Sequence, residues 1–349
     1  MPTKDSPKMP EAFKPTTIDD ALSQPTANVL DVLKRNKGPY LILGAGGKMG
    51  LHLCRMLRIG LDRLKREDSV IAVSRFSSLR DRDSFERAGI STILCDLTNE
   101  SEVKELPDAP VVFYLAGIKF GTAHAPELLH KFNVEMPRIA AKRYRNSRIV
   151  AFSTGCVYPF VTPESAGATE TTEPAPFGDY AISCLGREKA FAEISEKFKT
   201  PVSLIRLNYS VETRYGILVD IGRKILSGEP IDVTTGFVNL IWQRDAIAHT
   251  IQALEIAGSP AAPINITGPE VLSVRELATK LGQSLDRKVS FIGNESATAW
   301  LSNPAKSQKL FGPPETSIDE MISKVAGWLK QDGEIWNKPT GFEKRDGQF

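Results

Sequence analysis

A glycine-rich turn that begins at residue 44 constrains the fold of this chain more than any other feature. Residues 40–43 form a short apolar run, and residues 44–50 read Gly-Ala-Gly-Gly-Lys-Met-Gly. Apolar side chains then recur at helical spacing over residues 48–58. A glycine-rich turn between a buried strand and a helix lets the backbone approach a pyrophosphate, and the helix N-terminus attracts negative charge. The residues predicted to hold a dinucleotide at this turn are Gly44, Gly47, Lys48, Met49 and Gly50.

The three spaced glycines have separate predicted purposes. Gly44 permits the tight turn, Gly47 lets the backbone come close to the pyrophosphate, and Gly50 lets the helix pack on the strand. A plain junction between a strand and a helix is the alternative interpretation. The apolar run before the turn and the amphipathic segment after it favour dinucleotide binding.

The chain alternates apolar runs with helical patterns as far as about residue 210. Continuous apolar strands joined by helices are typical of a parallel sheet that is buried on both faces. The predicted fold is therefore α/β, with a doubly wound parallel sheet of the Rossmann type and a smaller C-terminal substrate lobe. The predicted strands are residues 40–43, 70–73, 92–94, 111–115, 149–152 and 202–205. The predicted helices are residues 27–36, 48–58, 125–145 with a kink or break at Pro137, 217–227, 244–256, 273–284 and 317–330.

The same patterns divide the chain into four predicted segments. They are an N-terminal tail and short helix over 1–37, a dinucleotide-binding domain over 38–210, a substrate lobe interleaved with the last strands over 211–330, and a polar, peripheral C-terminal tail over 331–349.

Composition and charge give no indication of nucleic-acid binding, membrane insertion, secretion or metal binding. The 349 residues carry a net charge of only +2, so the bulk charge gives no indication of a nucleic-acid or membrane partner. No apolar run approaches the ~18 residues that span a bilayer, and the N-terminus lacks the apolar core of a secretory signal, so we expect a cytoplasmic protein. The four cysteines and four histidines are scattered without ligand spacing. This pattern predicts reduced thiols and no metal site.

The residues after the second predicted strand bear on the choice of dinucleotide. Enzymes that use NAD place an acidic residue there for the ribose 2′-hydroxyl, whereas an arginine suits the 2′-phosphate of NADP. This chain has Ser74 and Arg75 at that place, and Lys48 adds a further positive charge. NADP is therefore favoured over NAD, although Arg75 as a solvated surface charge remains the alternative.

Motifs along most of the chain occur in the order of a known family. They are Gly44-x-x-Gly47-x-x-Gly50, Asp96-Leu97, Leu115-Ala116-Gly117, Asn133-Val134, Ser153-Thr154-Gly155-Cys156-Val157-Tyr158, Ile205-Arg206-Leu207, Ile264-Asn265-Ile266-Thr267-Gly268 and Trp328-Leu329. In this order they resemble the extended short-chain dehydrogenase/reductases, the NAD-dependent epimerase/dehydratase group. The resemblance covers about residues 38–330.

The resemblance implies hydride transfer at a carbon that bears oxygen, on a sugar or a sugar nucleotide. It implies that Asp96 and Leu97 lie near the adenine ring and that Leu115, Ala116 and Gly117 lie against the cofactor. A tyrosine that also touches the cofactor acts as acid and base, and a serine or threonine hydroxyl positions the substrate oxygen. In this chain those residues are Tyr180 and Thr154. A homodimer formed through the helices near 125–145 and 180–198 is a further implication.

One position departs from the family pattern. The resemblance implies a lysine four residues after the tyrosine, and this chain has Cys184 there. Three hypotheses follow: an enzyme in which Arg187 or Lys119 assists Tyr180, an enzyme that relies on other residues, or a non-catalytic dinucleotide-binding protein with a regulatory or structural task. Lys189 is a further basic residue on the same predicted helix.

The predicted substrate lobe has five further residues that could face a ligand, each of which could equally be a solvated or ion-paired side chain. They are Arg206, Arg214, Asn239, Trp242 and Arg244.

Overall fold

A computed structural model describes residues 17–76, 79–119 and 125–347. In this part of the chain, strands β1 to β13 are Tyr40–Leu43, Val70–Ser74, Ser91–Leu94, Val111–Tyr114, Arg148–Thr154, Val202–Leu207, Ser210–Val211, Ile231–Asp232, Phe237–Val238, Ile241–Trp242, Ala262–Ile266, Leu272–Ser273 and Phe291–Ile292. Helices α1 to α13 are Ile18–Leu22, Ala27–Arg35, Gly50–Arg63, Leu79–Glu86, Glu100–Lys104, Pro126–His130, Met136–Arg143, Asp179–Phe198, Ile217–Ser227, Gln243–Gln252, Val274–Leu285, Ala305–Phe311 and Ile318–Lys330.

Seven of these strands form one parallel sheet in the order β11-β6-β5-β4-β1-β2-β3. The chain moves outward from β1 through β2 and β3, and then returns to place β4 on the other side of β1. The carboxyl ends of β1 and β4 therefore lie at a topological switch point, where open α/β sheets bind ligands. This topology confirms the predicted doubly wound α/β fold.

Strand β1 is buried on both faces, as its continuous apolar sequence predicts. Tyr40 and Ile42 pack into one layer with helices α2, α3 and α10, whereas Leu41 and Leu43 pack into the opposite layer with α7 and α8. Alternate side chains of a strand point to opposite faces, so a strand between two helical layers must be apolar at every position.

Two of the differences between the structure and the predicted elements have a clear physical reason. Strand β11 joins the sheet at its edge, although its sequence, with Pro263 and Asn265, gave no strand prediction. An edge strand tolerates proline because one of its sides needs no hydrogen-bonded partner. The predicted helix over 125–145 is divided by a π-helical turn, Lys131–Glu135, directly before Pro137. Pro137 has no N–H to donate to the preceding turn, which explains the break.

The second lobe has a core of its own. Helices α9, α11 and α13 contribute Ile221, Leu281 and Val325 to this core. Residues 331–347 fold back onto the lobe, and Phe342 enters its core with 3% of its surface exposed. The hydroxyl of Thr235 donates to the Phe342 carbonyl at 2.9 Å. Thr340 donates to the Asp220 carboxylate through its N–H and its hydroxyl, and Glu343 pairs with Lys224. The polar composition of this segment suggested a peripheral tail, but these contacts hold it on the lobe together with Phe342.

Within the described residues, the helices are either too short or too polar to cross a membrane.

Candidate active site

The glycine turn lies between β1 and α3, where the sequence predicted it. Gly44 has a φ of +83°, and a Cβ atom there would lie 2.5 Å from the backbone nitrogen of Ala116. A Cβ at Gly50 would lie 2.0 Å from the Ala45 carbonyl oxygen. Both positions therefore require glycine for the fold itself. A Cβ at Gly47 would meet its nearest neighbour at 3.5 Å, so this position is open on the side where a ligand would approach.

The N-terminus of α3 is suited to an anion. The helix begins at Gly50 with Met49 as its N-cap, and its first turn contains no acidic residue. Among the described residues, no N-cap side chain accepts a hydrogen bond from this first turn. Free N–H groups and the positive end of the helix dipole together attract a phosphate group.

A cavity of about 240 Å³ extends from this turn along the carboxyl ends of β1 to β4. Its lining includes nine of the predicted cofactor-binding residues: Gly44, Gly47, Ser74, Arg75, Asp96, Leu97, Leu115, Ala116 and Gly117. Five further lining residues were missed in the sequence: Gly46, Phe76, Cys95, Phe132 and Met136. The pair Phe132 and Met136 had a usable pattern, since apolar residues four positions apart share one face of a helix.

Two opposite charges stand at one end of this cavity. Arg75 is exposed there, with its guanidinium 5.5 Å from the Phe132 ring centre. Asp96 accepts hydrogen bonds from the backbone N–H and the hydroxyl of Thr98, at 3.0 and 2.9 Å. These hydrogen bonds lower the pKa of Asp96, and the nearby Arg75 lowers it further.

Lys48 leaves the glycine turn in another direction. Its Nζ lies 3.2 Å from the centre of the Tyr215 ring in the second lobe, and it is not among the lining residues of the cavity. Burial, together with repulsion from Lys119 and Lys338, lowers the pKa of Lys48 to about 7. Lys48 therefore gives no support to the prediction of a bound 2′-phosphate, because its side chain faces the second lobe.

Tyr180 and Thr154 are not among the lining residues of this cavity; they lie at the carboxyl end of β5, the strand beside β4. Thr154 ends β5, and its Oγ1 accepts a hydrogen bond from the Cys156 N–H at 3.2 Å. Tyr180 lies in the first turn of α8 and packs against two small buried clusters, one of which contains Cys156 and the other Cys184. The tyrosine is therefore beside the turn that follows Thr154.

The residues around Tyr180 shift the pKa of its phenol in opposite directions. Burial raises the pKa of Tyr180 well above its ordinary value, the thiols of Cys184 and Cys156 raise it further, and Arg187 lowers it. The Nζ of Lys119 lies 5.6 Å from the centre of the Tyr180 ring. A catalytic phenol in this position depends on nearby cations.

A protein-family model matches the part of the chain that contains this site. The model of the NAD dependent epimerase/dehydratase family matches residues 40–237. This chain belongs to that family. The match confirms the family that the order of the motifs indicated, and it includes the glycine turn, Thr154 and Tyr180. No curated protein sequence matches the chain.

Solved structures share the fold, and two of the three described here are of sugar-nucleotide epimerases. The UDP-glucuronic acid 4-epimerase from Bacillus cereus in complex with NAD is 18% identical, with a TM-score of 0.69 over 84% of this chain and 98% of that one. The UDP-glucose 4-epimerase from Thermotoga maritima with UDP-glucose is 16% identical, with a TM-score of 0.69 over 84% and 99%. The Bordetella bronchiseptica enzyme WbmG in complex with NAD and UDP is 18% identical, with a TM-score of 0.71 over 87% and 99%.

Within this epimerase/dehydratase chain, position 184 offers no positive charge. Cys184 is fully buried, and burial raises the pKa of its thiol, which keeps it neutral at ordinary pH. Lys189 is exposed on α8, whereas Arg187 is buried on the same helix.

The five candidate ligand residues are occupied by protein contacts, and one of them, Arg206, lies on β6 of the central sheet and not in the second lobe. Arg206 pairs with Glu188, and Arg214 pairs with Glu212 and Asp19. Arg244 pairs with Glu315. The Asn239 side chain donates to the Glu270 carbonyl and accepts from the Ser302 N–H, and Trp242 is buried in the core of the lobe. These contacts favour a structural role for each of the five, because buried polar groups and charges are retained when they are paired.

Proposed function

We propose that this chain is an NAD(P)-dependent oxidoreductase or epimerase/dehydratase that acts on a sugar or sugar-derived substrate by hydride transfer at a carbinol carbon. The observation that carries the proposal is the meeting of three features at one edge of the sheet: the cavity behind the glycine turn, the end of β5 at Thr154, and the first turn of α8 at Tyr180. Sugar-nucleotide epimerases with the same fold support a sugar or a nucleotide sugar as the substrate class.

The residues of the cavity fit a dinucleotide. Gly47 leaves room where a pyrophosphate would approach, the first turn of α3 has free N–H groups, and the cavity continues to Gly117. When bound, a dinucleotide supplies the nicotinamide ring that accepts and returns a hydride.

Two side chains carry out the proposed proton chemistry. The Thr154 hydroxyl donates a hydrogen bond to the substrate oxygen and orients it. The phenolate of Tyr180 takes the proton of the carbinol hydroxyl, so the carbon can release its hydrogen as hydride and the oxygen can form a carbonyl bond. In the reverse direction the phenol returns the proton.

Dinucleotide binding is tested with Gly47→Ala, using Gly327→Ala as the matched control. A Cβ at either position meets no close neighbour among the described residues, so both variants should fold. Gly327→Ala should melt slightly higher than the wild type, because Gly327 lies within α13 and alanine favours a helix more than glycine does. We expect calorimetry to show a loss of about tenfold or more in dinucleotide affinity for Gly47→Ala alone, because the added methyl group occupies the space of the pyrophosphate. If the wild-type protein bound neither NAD nor NADP, the proposed function would be wrong.

We propose NADP as the preferred dinucleotide, and the exposed Arg75 at the mouth of the cavity supports this choice. A bidentate pair with the 2′-phosphate is a charge-assisted interaction of about 1.5–3 kcal/mol. Arg75→Gln should therefore weaken NADP binding about tenfold or more and leave NAD binding unchanged. Tighter binding of NAD by the wild-type protein would refute the preference, and the NAD-bound relatives make this the outcome to examine first.

Catalysis is tested with Tyr180→Phe and Thr154→Val on a panel of sugars, sugar acids and nucleotide sugars. General acid–base catalysis contributes about 100-fold or more, so Tyr180→Phe should lose at least that factor in turnover while dinucleotide affinity is retained. A non-catalytic dinucleotide-binding protein is the alternative, motivated by Cys184. It predicts dinucleotide binding with no turnover on any member of the panel. Turnover by Cys184→Lys on the same panel then shows whether a lysine at this position restores activity.

We further propose a cytoplasmic homodimer. Leu128 on α6 and Ile182 on α8 are large apolar side chains with 38% and 55% of their surfaces exposed, on the two helices that the resemblance assigns to a dimer interface. Light scattering of the wild-type protein and of Ile182→Glu tests the dimer. A monomeric wild-type protein would contradict it.

A further inference from the structure

Helix α8 carries two adjacent charged side chains with opposite environments. Glu188 forms two hydrogen bonds to the Arg206 guanidinium, at 2.7 and 3.0 Å, so both charges are compensated. The neighbouring Arg187 has only 6% of its surface exposed, yet it lies within ion-pair distance of no carboxylate among the described residues. Its acceptors are the Phe152 carbonyl, at 3.2 Å, and the Asn133 side-chain oxygen. Its Nε has no hydrogen-bond partner among the described groups.

The Arg187 guanidinium lies directly behind the wall of the cofactor cavity. A Cβ at Gly117, which lines that cavity, would lie 2.2 Å from the Arg187 Nη2. A bulkier residue at position 117 would therefore push the guanidinium away. The positive charge stands against the cavity and is separated from it by one backbone segment.

A chain of hydrogen bonds joins this guanidinium to the turn of α8 that carries Tyr180. Asn133, which accepts from Arg187, donates to the Ser183 hydroxyl at 2.9 Å. That hydroxyl donates to the Tyr180 carbonyl at 2.7 Å. Asn133 belongs to the π-helical turn over Lys131–Glu135, a distortion that is frequent at functional sites. In this turn the Asn133 side-chain amide lies where it contacts both the Arg187 guanidinium and, through Ser183, the first turn of α8.

A buried charge without a counter-ion is costly, and stability alone gives no reason to keep one. Protein sites that violate such a rule are commonly functional. We propose that Arg187 is the positioning residue that supplies, from behind the cavity wall, the fixed positive charge that Cys184 does not provide, and that it acts by stabilising the phenolate of Tyr180. This inference rests on the proposed function, because it assigns Tyr180 the role of acid and base.

In the part of the chain that the structure describes, the charged and titratable groups that act on the Tyr180 phenol or lie over its ring include residues from three elements. Cys184 and Arg187 lie on α8, Cys156 follows β5, and Lys119 follows β4. Arginine stays protonated at every accessible pH, whereas burial lowers the pKa of Lys119. Arg187 is therefore the cation of this set whose charge is constant while the phenol titrates.

The test measures the ionisation of residue 180 directly, in the protein without dinucleotide or substrate. Difluorotyrosine, whose phenol is intrinsically more acidic, is incorporated at position 180, and its fluorine NMR shift is followed against pH. Arg187→Gln removes the charge but keeps a hydrogen-bond donor for Asn133, and Arg187→Met removes both. We expect each neutral variant to raise the pKa of residue 180 by about one unit.

Three comparisons make the result decisive. Lys189→Met removes an exposed cation from the same helix and should leave the titration unchanged. Arg187→Lys keeps the positive charge only while the buried ammonium stays protonated, so residue 180 should titrate between the wild type and Arg187→Gln, or up to about one unit above the wild type if both neutral variants fail to fold. A downward shift, or an upward shift well beyond one unit, would overturn the proposal. An unchanged titration in Arg187→Gln, or a shift seen only in Lys119→Met, would also overturn it. Absence of turnover or of dinucleotide binding would refute the proposed function without altering this titration.

Discussion

Arg206 and Arg187 are buried to the same degree, with 5% and 6% of their surfaces exposed, but their partners differ. Arg206 has the Glu188 carboxylate and the Tyr158 hydroxyl as partners, and Glu188 also accepts from the Ser153 hydroxyl. Arg187 has neutral oxygens as partners. The first arginine belongs to a closed network inside the protein, whereas the second leaves a net charge beside a cavity. Equal burial therefore does not imply an equal role. Three predictions test the difference between the two arginines, and a fourth extends the comparison to Lys48.

Glu188→Gln should produce the largest effect on stability. The substitution leaves the Arg206 guanidinium buried without a counter-charge, and breaking a buried pair in this way costs about 3–5 kcal/mol. Denaturant unfolding measures the change in the free energy of unfolding. Glu193→Gln removes an exposed carboxylate from the same helix and should cost well under 1 kcal/mol.

The double variant Glu188→Leu/Arg206→Met should lose less stability than Glu188→Gln. Removing both charges together avoids an unpaired ion, and apolar replacements of buried pairs are often close to neutral. The Ser153 hydroxyl loses its acceptor, so we expect a net loss of about 1–2 kcal/mol. A double variant as unstable as Glu188→Gln would show that the network, and not the charge balance, dominates.

Arg187→Met should lower the free energy of unfolding by about 1 kcal/mol. It removes an uncompensated charge, which is favourable, and it leaves the Phe152 carbonyl without that donor, which is unfavourable. Unfolding is measured in the same denaturant as for Glu188→Gln. A loss as large as that of Glu188→Gln would mean that an anion pairs with Arg187, and the contrast between the two arginines would fail.

Lys48 extends the comparison to a third cation, one at the interface between the lobes. Its pKa falls to about 7 in the folded protein, mainly through burial. The unfolded chain therefore holds this proton to higher pH than the folded protein does, so the contribution of Lys48 to stability rises as the pH increases above about 7. Lys48→Met should be more stable than the wild type at pH 6, and the difference should shrink towards pH 9. Thermal unfolding of both proteins, with the exposed Lys37→Met as control, measures this pH dependence.

The sequence predicted the parts of the site that depend on local chemistry. The glycine turn was predictable because Gly44 and Gly50 are required by contacts with Ala116 and Ala45, whatever the ligand. The order of the motifs also identified Thr154 and Tyr180 as candidates, and in the structure both lie at the carboxyl end of β5. That family-level prediction agrees with the matching family model.

The parts that the sequence did not predict depend on distant partners. The direction of Lys48 is set by Tyr215, which lies far along the chain. The environment of Arg187 is set by Asn133, fifty-four positions earlier, and by a π-helical turn that no periodicity indicated. Pairing of Arg206 with Glu188 could not be read from the spacing alone, because it requires β6 to lie beside α8.

The returning C-terminal segment has a practical consequence for the experiments above. The Thr340 carbonyl accepts from Lys119 at 3.4 Å, and Arg345 stacks on Phe160 at 4.2 Å. Gly347 lies so close to Gly178 that a Cβ at Gly178 would be 2.6 Å from its Cα. An affinity tag fused after residue 349 would therefore begin close to Gly178, which precedes Tyr180 by two positions in the sequence. Preparations for calorimetry, turnover and fluorine NMR should carry the tag at the amino end, and a tag at the carboxyl end should be cleaved before an inactive result is accepted.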